Sequence, residues 1–282
     1  MRVTEAKSEH YGYKWVDSHI HLDLYEEQER KALLREAFAA GMEAVVSVSM
    51  NLASSQANRE LRLAYPEQIM PAYGFHPERP LPSAEEEEEL FAWIRERHRE
   101  GEPFAIGEVG LPYYTRTEAE AAGEAFDEAP YLRLLERFAA LAAELERPIV
   151  LHAVYEDAAK ACALLEKYGV RRAHFHWFKG PEETISRMAS NGYFVSVTPD
   201  VAYEEEMTAL VRRYPADRLM TETDGPWPFE GPYEGRLTSP VMAADVVLRI
   251  AELRGTLPAE EAARLLANAK AFYGIGAGRA TS

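Results

Sequence analysis

Residues 148–176 read PIVLHAVYEDAAKACALLEKYGVRRAHFH, and this stretch contains one complete strand–helix–strand unit. The apolar run 149–152 has the length of a buried strand, and the run 173–176 has the same length. The alanine-rich pattern between them, 156–168, predicts a helix, and Gly169 directly after it is typical of a helix end. A strand, a helix and a second strand in this order predict one unit of a parallel sheet.

The same alternation covers most of the chain. Strands are predicted at Lys14–His19, Ala44–Ser49, Ile69–Phe75, Phe104–Val109, Ile149–His152, Ala173–His176, Tyr193–Thr198 and Leu219–Thr223. Helices are predicted near 25–40, 54–64, 84–99, 124–146, 156–168, 181–190, 203–213 and 239–254, with an extra C-terminal helix near 258–273. We expect Leu111–Gly123 to form a long loop that serves as a lid or a substrate wall. Eight units predict an α/β fold, a single (β/α)₈ TIM barrel that forms one domain over residues 1–282.

The composition limits the possible functions. No apolar run approaches the roughly 20 residues that cross a bilayer, and the polar N-terminus lacks the features of a secretory signal, so we expect a cytoplasmic protein without a membrane partner. The single cysteine, Cys162, excludes a thiolate cluster, which leaves His and carboxylate side chains as metal ligands. A formal net charge of −16 disfavours indiscriminate binding to nucleic acid but still allows one strand or one terminus as a substrate.

Residues with metal-binding side chains stand at the ends of predicted strands, where the chemistry of a TIM barrel is located. The first strand ends in Asp17-Ser-His19-Ile-His21, and residues two apart in a strand share a face, so both imidazoles point the same way. Glu108 ends the fourth strand between two glycines, and His152 ends the fifth. Each of these residues alone also fits a structural explanation, such as a paired carboxylate or a hydrogen-bonded core histidine.

The sixth and eighth strands complete the set. His176 lies nearer the barrel mouth than His174, so we expect His176 to be a ligand and His174 to be structural. Asp224 follows the eighth strand on the same face as Glu222. Together the candidate ligands favour a pair of divalent ions, Zn²⁺, Mn²⁺, Fe²⁺, Co²⁺ or Mg²⁺, bridged by a carboxylate and a hydroxide; they are His19, His21, Glu108, His152, His176 and Asp224.

These motifs resemble the TatD family of metal-dependent deoxyribonucleases, within the wider amidohydrolase superfamily, over nearly the whole chain. The resemblance rests on six segments in the family's order: 17–23 (DSHIHLD), 74–77 (GFHP), 106–111 (IGEVGL), His152, 176–180 (HWFKG) and 222–226 (ETDGP).

The resemblance implies a binuclear metal centre and cleavage of DNA phosphodiester bonds, often from a strand end. In that centre His19, His21 and Asp224 serve one ion, His152 and His176 serve the other, and Glu108 contacts both. His76 matches a family histidine near the substrate, although a structural role in its Phe-His-Pro turn is an alternative.

The chain departs from the family pattern at three positions. Pro112 stands where members usually carry Asp, Val154 where they usually carry Arg, and Lys179 where they have a small residue. These changes lie in the surroundings that receive a phosphate and put the identity of the substrate in doubt, whereas the ligands themselves match.

The mechanism we expect is attack by a metal-bound hydroxide on the scissile centre, with Asp224 moving the proton to the leaving group. His76, Lys179 and Arg116 are candidate substrate-binding residues that offset developing negative charge. Trp227, Phe229 and Tyr233 form either an aromatic wall for a base or a loop packed onto the barrel.

Two other functions remain open from the sequence. One is C–N or ester hydrolysis of a small molecule, as many amidohydrolases perform; members with a bridging carbamylated lysine on the fourth strand are disfavoured because Glu108 holds that position. The other is a barrel that binds metal and a partner without catalysis. The expected substrate is a nucleic-acid end or a small phosphorylated or ester compound, and the sequence does not indicate an oligomeric state.

Overall fold

The computed structural model describes residues 11–276. Eight strands form one parallel sheet in the order β1 to β8. Their bounds are β1 Trp15–Ile20, β2 Met42–Ser47, β3 Ile69–Tyr73, β4 Ala105–Gly110, β5 Ile149–His152, β6 Ala173–Phe175, β7 Phe194–Val197 and β8 Leu219–Thr221. Each predicted strand is present, with ends that differ by at most two residues from those expected, because strand ends depend on hydrogen bonds to the neighbouring strand.

Helices alternate with the strands. They are α1 Glu27–Ala40, α2 Leu52–Ala64, α3 Ala84–Arg99, α4 Tyr113–Ala121, α5 Ala129–Glu144, α6 Glu156–Tyr168, α7 Glu182–Ser190, α8 Glu205–Arg213, α9 Met242–Arg254 and α10 Pro258–Tyr273. The sheet and its helices form the predicted (β/α)₈ barrel, and α10 is the expected extra helix at the C-terminal end. Between residues 11 and 276, no helix has the length and apolar character needed to cross a bilayer.

The barrel closes where β8 meets β1. The Thr221 hydroxyl donates to the Val16 carbonyl at 2.8 Å, and the Thr223 hydroxyl donates to the Asp17 carboxylate at 2.5 Å. Just beyond the strand ends, the backbone N–H of Asp224 donates to the His19 carbonyl at 2.9 Å. These bonds bring the carboxyl ends of the first and last strands together at one face.

The prediction of a loop over Leu111–Gly123 is wrong, because residues 113–121 form helix α4. The carboxylate of Glu78 accepts the backbone N–H groups of Tyr114 and Thr115 at 2.9 and 2.8 Å. Those N–H groups lack partners within a helix, so an anion at this end stabilises the first turn. The capping residue lies 36 positions earlier in the chain, where local sequence patterns give no indication of it.

Candidate metal centre

The six predicted ligands meet at the carboxyl face of the barrel, and all six are buried. His19 lies within β1, Glu108 within β4, and His152 is the last residue of β5. The other three, His21, His176 and Asp224, lie in the first residues after β1, β6 and β8. Because parallel strands all end at one edge of the sheet, residues far apart in sequence share this space.

Glu108 lies at the centre of the cluster. Its Oε2 is 3.2 Å from Nε2 of His19 and 3.2 Å from Nε2 of His21. Its Oε1 is 3.0 Å from Nδ1 of His152 and 2.7 Å from Nε2 of His176. Each carboxylate oxygen therefore contacts a different pair of the candidate ligands.

Asp224 joins the first of these pairs. Its Oδ1 lies 3.3 Å from Nε2 of His19 and 3.5 Å from Nε2 of His21. Its backbone has a φ of 49°, in the left-handed region that non-glycine residues seldom adopt. The hydrogen bonds from Asp224 N to the His19 carbonyl and from His21 N to the Gly225 carbonyl hold this conformation. Such strain is commonly retained where a side chain must be aimed at a functional site.

The donor atoms fit a divalent metal ion. Two ligands about 2.1 Å from one ion at a tetrahedral angle are about 3.4 Å apart, which is close to the separations measured here. Nε2 of His19, Oε2 of Glu108 and Oδ1 of Asp224 are buried without a hydrogen-bond partner. Within residues 11–276, four groups of three ligand atoms have all their atoms within 4.8 Å of one another. Two contain only candidate ligands, His19, His21, Asp224 and Glu108, His152, His176, and the others are His21, His76, Glu108 and His19, His176, Glu222. Buried polar atoms without a partner are costly, and a cation would satisfy them.

The charges of the two central carboxylates suit the same ligand role. Burial alone would raise the pKa of Glu108, but the imidazoles around it lower that pKa well below the usual range. Burial likewise opposes ionisation of Asp224, and the close contact with His19, together with the other nearby imidazoles, lowers its pKa. Both carboxylates are therefore anionic, as metal coordination requires.

His76, a predicted substrate-binding residue, lies beside this centre. Its Nε2 is 3.3 Å from Oε1 of Glu108, and its Nδ1 accepts the backbone N–H of Glu78 at 3.2 Å. Burial lowers the pKa of His76, so the ring is neutral. With Nδ1 acting as an acceptor, the single ring proton is on Nε2. His76 therefore presents a hydrogen-bond donor to the centre.

Two carboxylates next to the ligands were not predicted to take part. Oε1 of Glu78 is 3.2 Å from Nε2 of His152, the ring nitrogen that faces away from Glu108. Oε1 of Glu222 accepts the backbone N–H of Trp177 at 2.6 Å and lies 3.9 Å from Nδ1 of His176. For Glu222, the sequence contained an indication, because it shares a strand face with Asp224. For Glu78, the surrounding sequence contained no indication of a role at the site.

The remaining predicted residues are held away from the ligands. The Arg116 guanidinium donates to Glu156 at 2.8 Å and to Asp157 at 3.1 Å. Nζ of Lys179 lies 3.1 Å from Asp200. The structure does not bring either cation into the lining of the cavity above the ligands, and their roles in substrate binding stay predictions.

His174 lies one layer below the ligands. Its Nδ1 is 2.6 Å from the Tyr273 hydroxyl and its Nε2 is 2.5 Å from the Ser196 hydroxyl. Both ring nitrogens are thus occupied by hydrogen bonds within the barrel interior, as a structural histidine requires.

A cavity of about 500 Å³ opens above the ligands. His76, His152, His176 and Asp224 contribute to its floor, and Tyr114, Trp177 and Trp227 contribute aromatic surface. The two alternatives for the loop after β8 both occur, because Trp227 is 53% exposed and lines the cavity, whereas Phe229 and Tyr233 are buried against Met242.

Comparisons with known proteins identify the family and several relatives of the chain. The family described as TatD related DNase matches residues 16–274. An uncharacterized metal-dependent hydrolase from Haemophilus influenzae is 38% identical over 258 residues, covering 91% of this chain and 98% of the relative. A protein named 3'-5' ssDNA/RNA exonuclease TatD, from Erwinia tasmaniensis, is 27% identical and covers 88% and 95%.

Solved structures show the same fold. YJJV, a TatD homolog from Escherichia coli, superposes with a TM-score of 0.79 at 23% identity, covering 93% of this chain and 98% of that one. An uncharacterized amidohydrolase from Saccharomyces cerevisiae superposes with a TM-score of 0.72 at 15% identity, covering 93% and 100%.

Proposed function

Because the chain belongs to the TatD-related DNase family of metal-dependent hydrolases, we propose that it hydrolyses phosphodiester bonds with the help of two divalent ions. The observation that carries this proposal is the position of Glu108, whose Oε2 contacts His19 and His21 and whose Oε1 contacts His152 and His176. One carboxylate between two ligand groups is the arrangement that a shared ligand of two ions requires.

We assign His19, His21 and Asp224 to one ion, His152 and His176 to the other, and Glu108 to both. Ions held there would lower the pKa of a water molecule and offset the negative charge that develops on a phosphoryl group. Mn²⁺, Zn²⁺, Co²⁺, Fe²⁺ and Mg²⁺ all accept imidazole or carboxylate ligands, so the set does not select one metal.

The residues of the chain have distinct tasks in this proposal. Asp224, which is anionic and faces the site, accepts the proton of the attacking water and delivers it to the oxygen of the departing group. The Nε2–H group of His76 donates a hydrogen bond to a non-bridging phosphoryl oxygen. Glu78, through its contact with His152, fixes the orientation of that ring as carboxylates commonly do behind metal-binding histidines.

Hydrolysis of a small ester or of a C–N bond is a second candidate. One observation favours it: of the residues in the described range 11–276, no Lys or Arg lines the cavity. Enzymes that bind phosphate groups commonly place an Arg or a Lys beside them. The name of the exonuclease relative from Erwinia tasmaniensis favours the phosphodiester instead.

The test separates these candidates. Protein stripped with a chelator is reloaded with Mn²⁺, Mg²⁺, Zn²⁺ or Co²⁺ and assayed on bis(p-nitrophenyl) phosphate, on 3'-labelled single-stranded DNA, and on a panel of lactones and amides. We expect metal-dependent turnover of a phosphodiester that a Glu108→Gln variant lacks. Turnover of lactones or amides alone would support the second candidate, and inactivity on every substrate would favour a barrel that only binds.

A further inference from the structure

Three aromatic side chains stand around the cavity above the ligands. Trp177 is held in place, since its backbone N–H donates to Glu222 at 2.6 Å and its indole N–H donates to Asp200 at 2.6 Å. Tyr114 is 48% exposed and Trp227 is 53% exposed, and both line the cavity. Exposed aromatic faces next to a reaction centre are suited to stacking with a planar ring of a substrate.

The cations nearest the cavity are already neutralised. Arg116 has Glu120 at 3.4 Å and Glu128 at 3.6 Å in addition to its bonds with Glu156 and Asp157, so four carboxylates surround one guanidinium. Hydrogen bonds to Glu120, Glu156 and Asp157 occupy the two terminal guanidinium nitrogens, which would otherwise bind phosphate groups. Lys160 on α6 also pairs with Glu128 and Asp157. The rim formed by α4 and the start of α6 still carries net negative charge, because four carboxylates, Glu118, Glu120, Glu156 and Asp157, stand against the two cations Arg116 and Lys160.

Acidic groups also line the cavity itself. Glu78 contributes one carboxylate, which caps α4. Glu118 contributes another, which is exposed and has no hydrogen bond or ion pair to any side chain within residues 11–276. Glu118 follows Tyr114 by four positions on α4, so its carboxylate and the Tyr114 ring share one helix face toward the cavity.

From the aromatic and acidic residues that line the cavity, we infer that the substrate is a small phosphodiester; this inference rests on the phosphodiesterase function proposed above. It has a single phosphate, the one cleaved at the ions, and an aromatic ester group that stacks on the exposed rings. A nucleic-acid strand fits poorly, because each phosphate beyond the scissile one would lie near Glu118 and the acidic rim without a cation to pair with it.

The experiment compares two substrates that differ in the number of phosphates. Thymidylyl-3',5'-thymidine has one phosphate, and the octamer dT8 has seven with the same ends and bases. With Mn²⁺-loaded protein we expect kcat/KM for the dinucleotide to exceed that for dT8 by at least about tenfold at low ionic strength.

The salt dependence of kcat/KM tests whether charge repulsion causes the preference for the dinucleotide. Raising the salt from about 20 to about 200 mM shortens the Debye length from roughly 20 to roughly 7 Å. If repulsion from the acidic walls limits dT8, its kcat/KM rises over this range, whereas the kcat/KM of a nuclease that attracts its strand falls.

A pair of variants tests the contribution of Glu118 to this repulsion. Glu118→Lys is expected to raise the dT8-to-dinucleotide ratio of kcat/KM by about fivefold or more, and the matched Glu118→Gln variant by less, because one changes the charge by two units and the other by one. The residue is exposed, and circular dichroism confirms that the fold is retained in both.

Three outcomes are distinguishable. A dinucleotide preference that decreases in Glu118→Lys supports the inference. A dT8 kcat/KM equal to or above that of the dinucleotide, falling with salt, overturns the inference and leaves the phosphodiesterase function standing. Inactivity on both and on bis(p-nitrophenyl) phosphate with every metal overturns the phosphodiesterase function, and the inference with it.

Discussion

Single residues at the barrel mouth combine charge, burial and strain in an unusual way. Two anionic carboxylates, Glu108 and Asp224, are buried at the barrel mouth, and the neutral donor His76 lies beside them. Buried charge is expensive in a protein interior unless it is paired. Without metal, imidazoles such as that of His152, whose pKa is raised to about 9, pair with these carboxylates, and bound cations would take over that role. Clusters of buried groups with strongly shifted pKa values are typical of functional sites.

Replacing Asp224 with Asn removes the proton acceptor of the proposed reaction. We expect kcat to fall by about 10²- to 10⁴-fold, the usual contribution of a positioned acid–base group, because an amide cannot take the proton. The control is Asp217→Asn, whose side chain is 69% exposed on the surface. Full activity of the Asp224→Asn protein in a phosphodiesterase assay would refute the assignment.

Replacing Glu78 with Gln tests its contact with His152. The neutral side chain accepts a weaker hydrogen bond from Nε2, so we expect the affinity for Zn²⁺ or Mn²⁺ to fall by about tenfold, as for other groups that orient metal-binding histidines. Competition with a chromophoric chelator measures the affinity. The control is Glu85→Gln in the exposed first turn of α3, which makes the same change in charge. An equal loss of metal affinity in this control would show that only long-range charge matters.

At the scale of secondary structure, the site depends on how closely β4 approaches β5. Gly110 pairs with His152 across the two strands, and a Cβ atom at position 110 would lie 1.8 Å from the His152 carbonyl oxygen. Only glycine permits this approach, which sets the spacing between the strand of Glu108 and the strand of His152.

A Gly110→Ala substitution should therefore disturb both stability and metal binding. We expect the free energy of unfolding to fall by about 3 kcal/mol or more, because backbone atoms must move apart. Gly123→Ala is the control, since its φ is +75° but nothing lies within 4 Å of its Cβ position; it should cost about 1–2 kcal/mol from the backbone conformation alone. Equal losses in urea denaturation would contradict the steric explanation.

Helix α4 forms through a contact between elements rather than through its own sequence. Glu78, after β3, caps its first turn, and Arg116 joins it to Glu156 and Asp157 at the start of α6. Both contacts hold α4 against the barrel mouth, where Tyr114 and Glu118 become part of the cavity wall.

For the whole molecule, metal binding should be coupled to stability. Ions that bind only the folded protein stabilise it by about 2.7 kcal/mol at a concentration one hundred times the Kd. We expect a chelator to lower the melting temperature of the metal-loaded protein by at least about 5 °C, measured by differential scanning calorimetry. An unchanged melting temperature in the presence of the chelator would argue against the metal centre.

The increase in stability on metal binding should also depend on pH. Burial opposes protonation of His152, but the hydrogen bonds to Glu108 and Glu78 outweigh it and raise the pKa of His152 to about 9 in the absence of metal. A metal ion must displace that proton, so binding strengthens as the pH rises toward 9 and weakens as it falls. We therefore expect a larger metal-induced increase in melting temperature at pH 8.5 than at pH 6.5.

The sequence alone determined the barrel and the position of the candidate ligands at its mouth. Strand and helix periods are local properties, and the carboxyl ends of parallel strands always meet at one face, so the sequence predicts that residues such as His152 and Asp224 lie close together. The physical reason is that chain direction and strand order leave little freedom in where a strand end lies.

Only the tertiary structure decided the surroundings of that centre. Arg116 and Lys179 could have faced a substrate, but Arg116 pairs with acids 40 and 41 positions away and Lys179 pairs with Asp200. Glu78 reaches His152 and α4 in the same way. Long charged side chains take the nearest partner that packing supplies, and that partner is set by the assembled fold rather than by the neighbouring sequence.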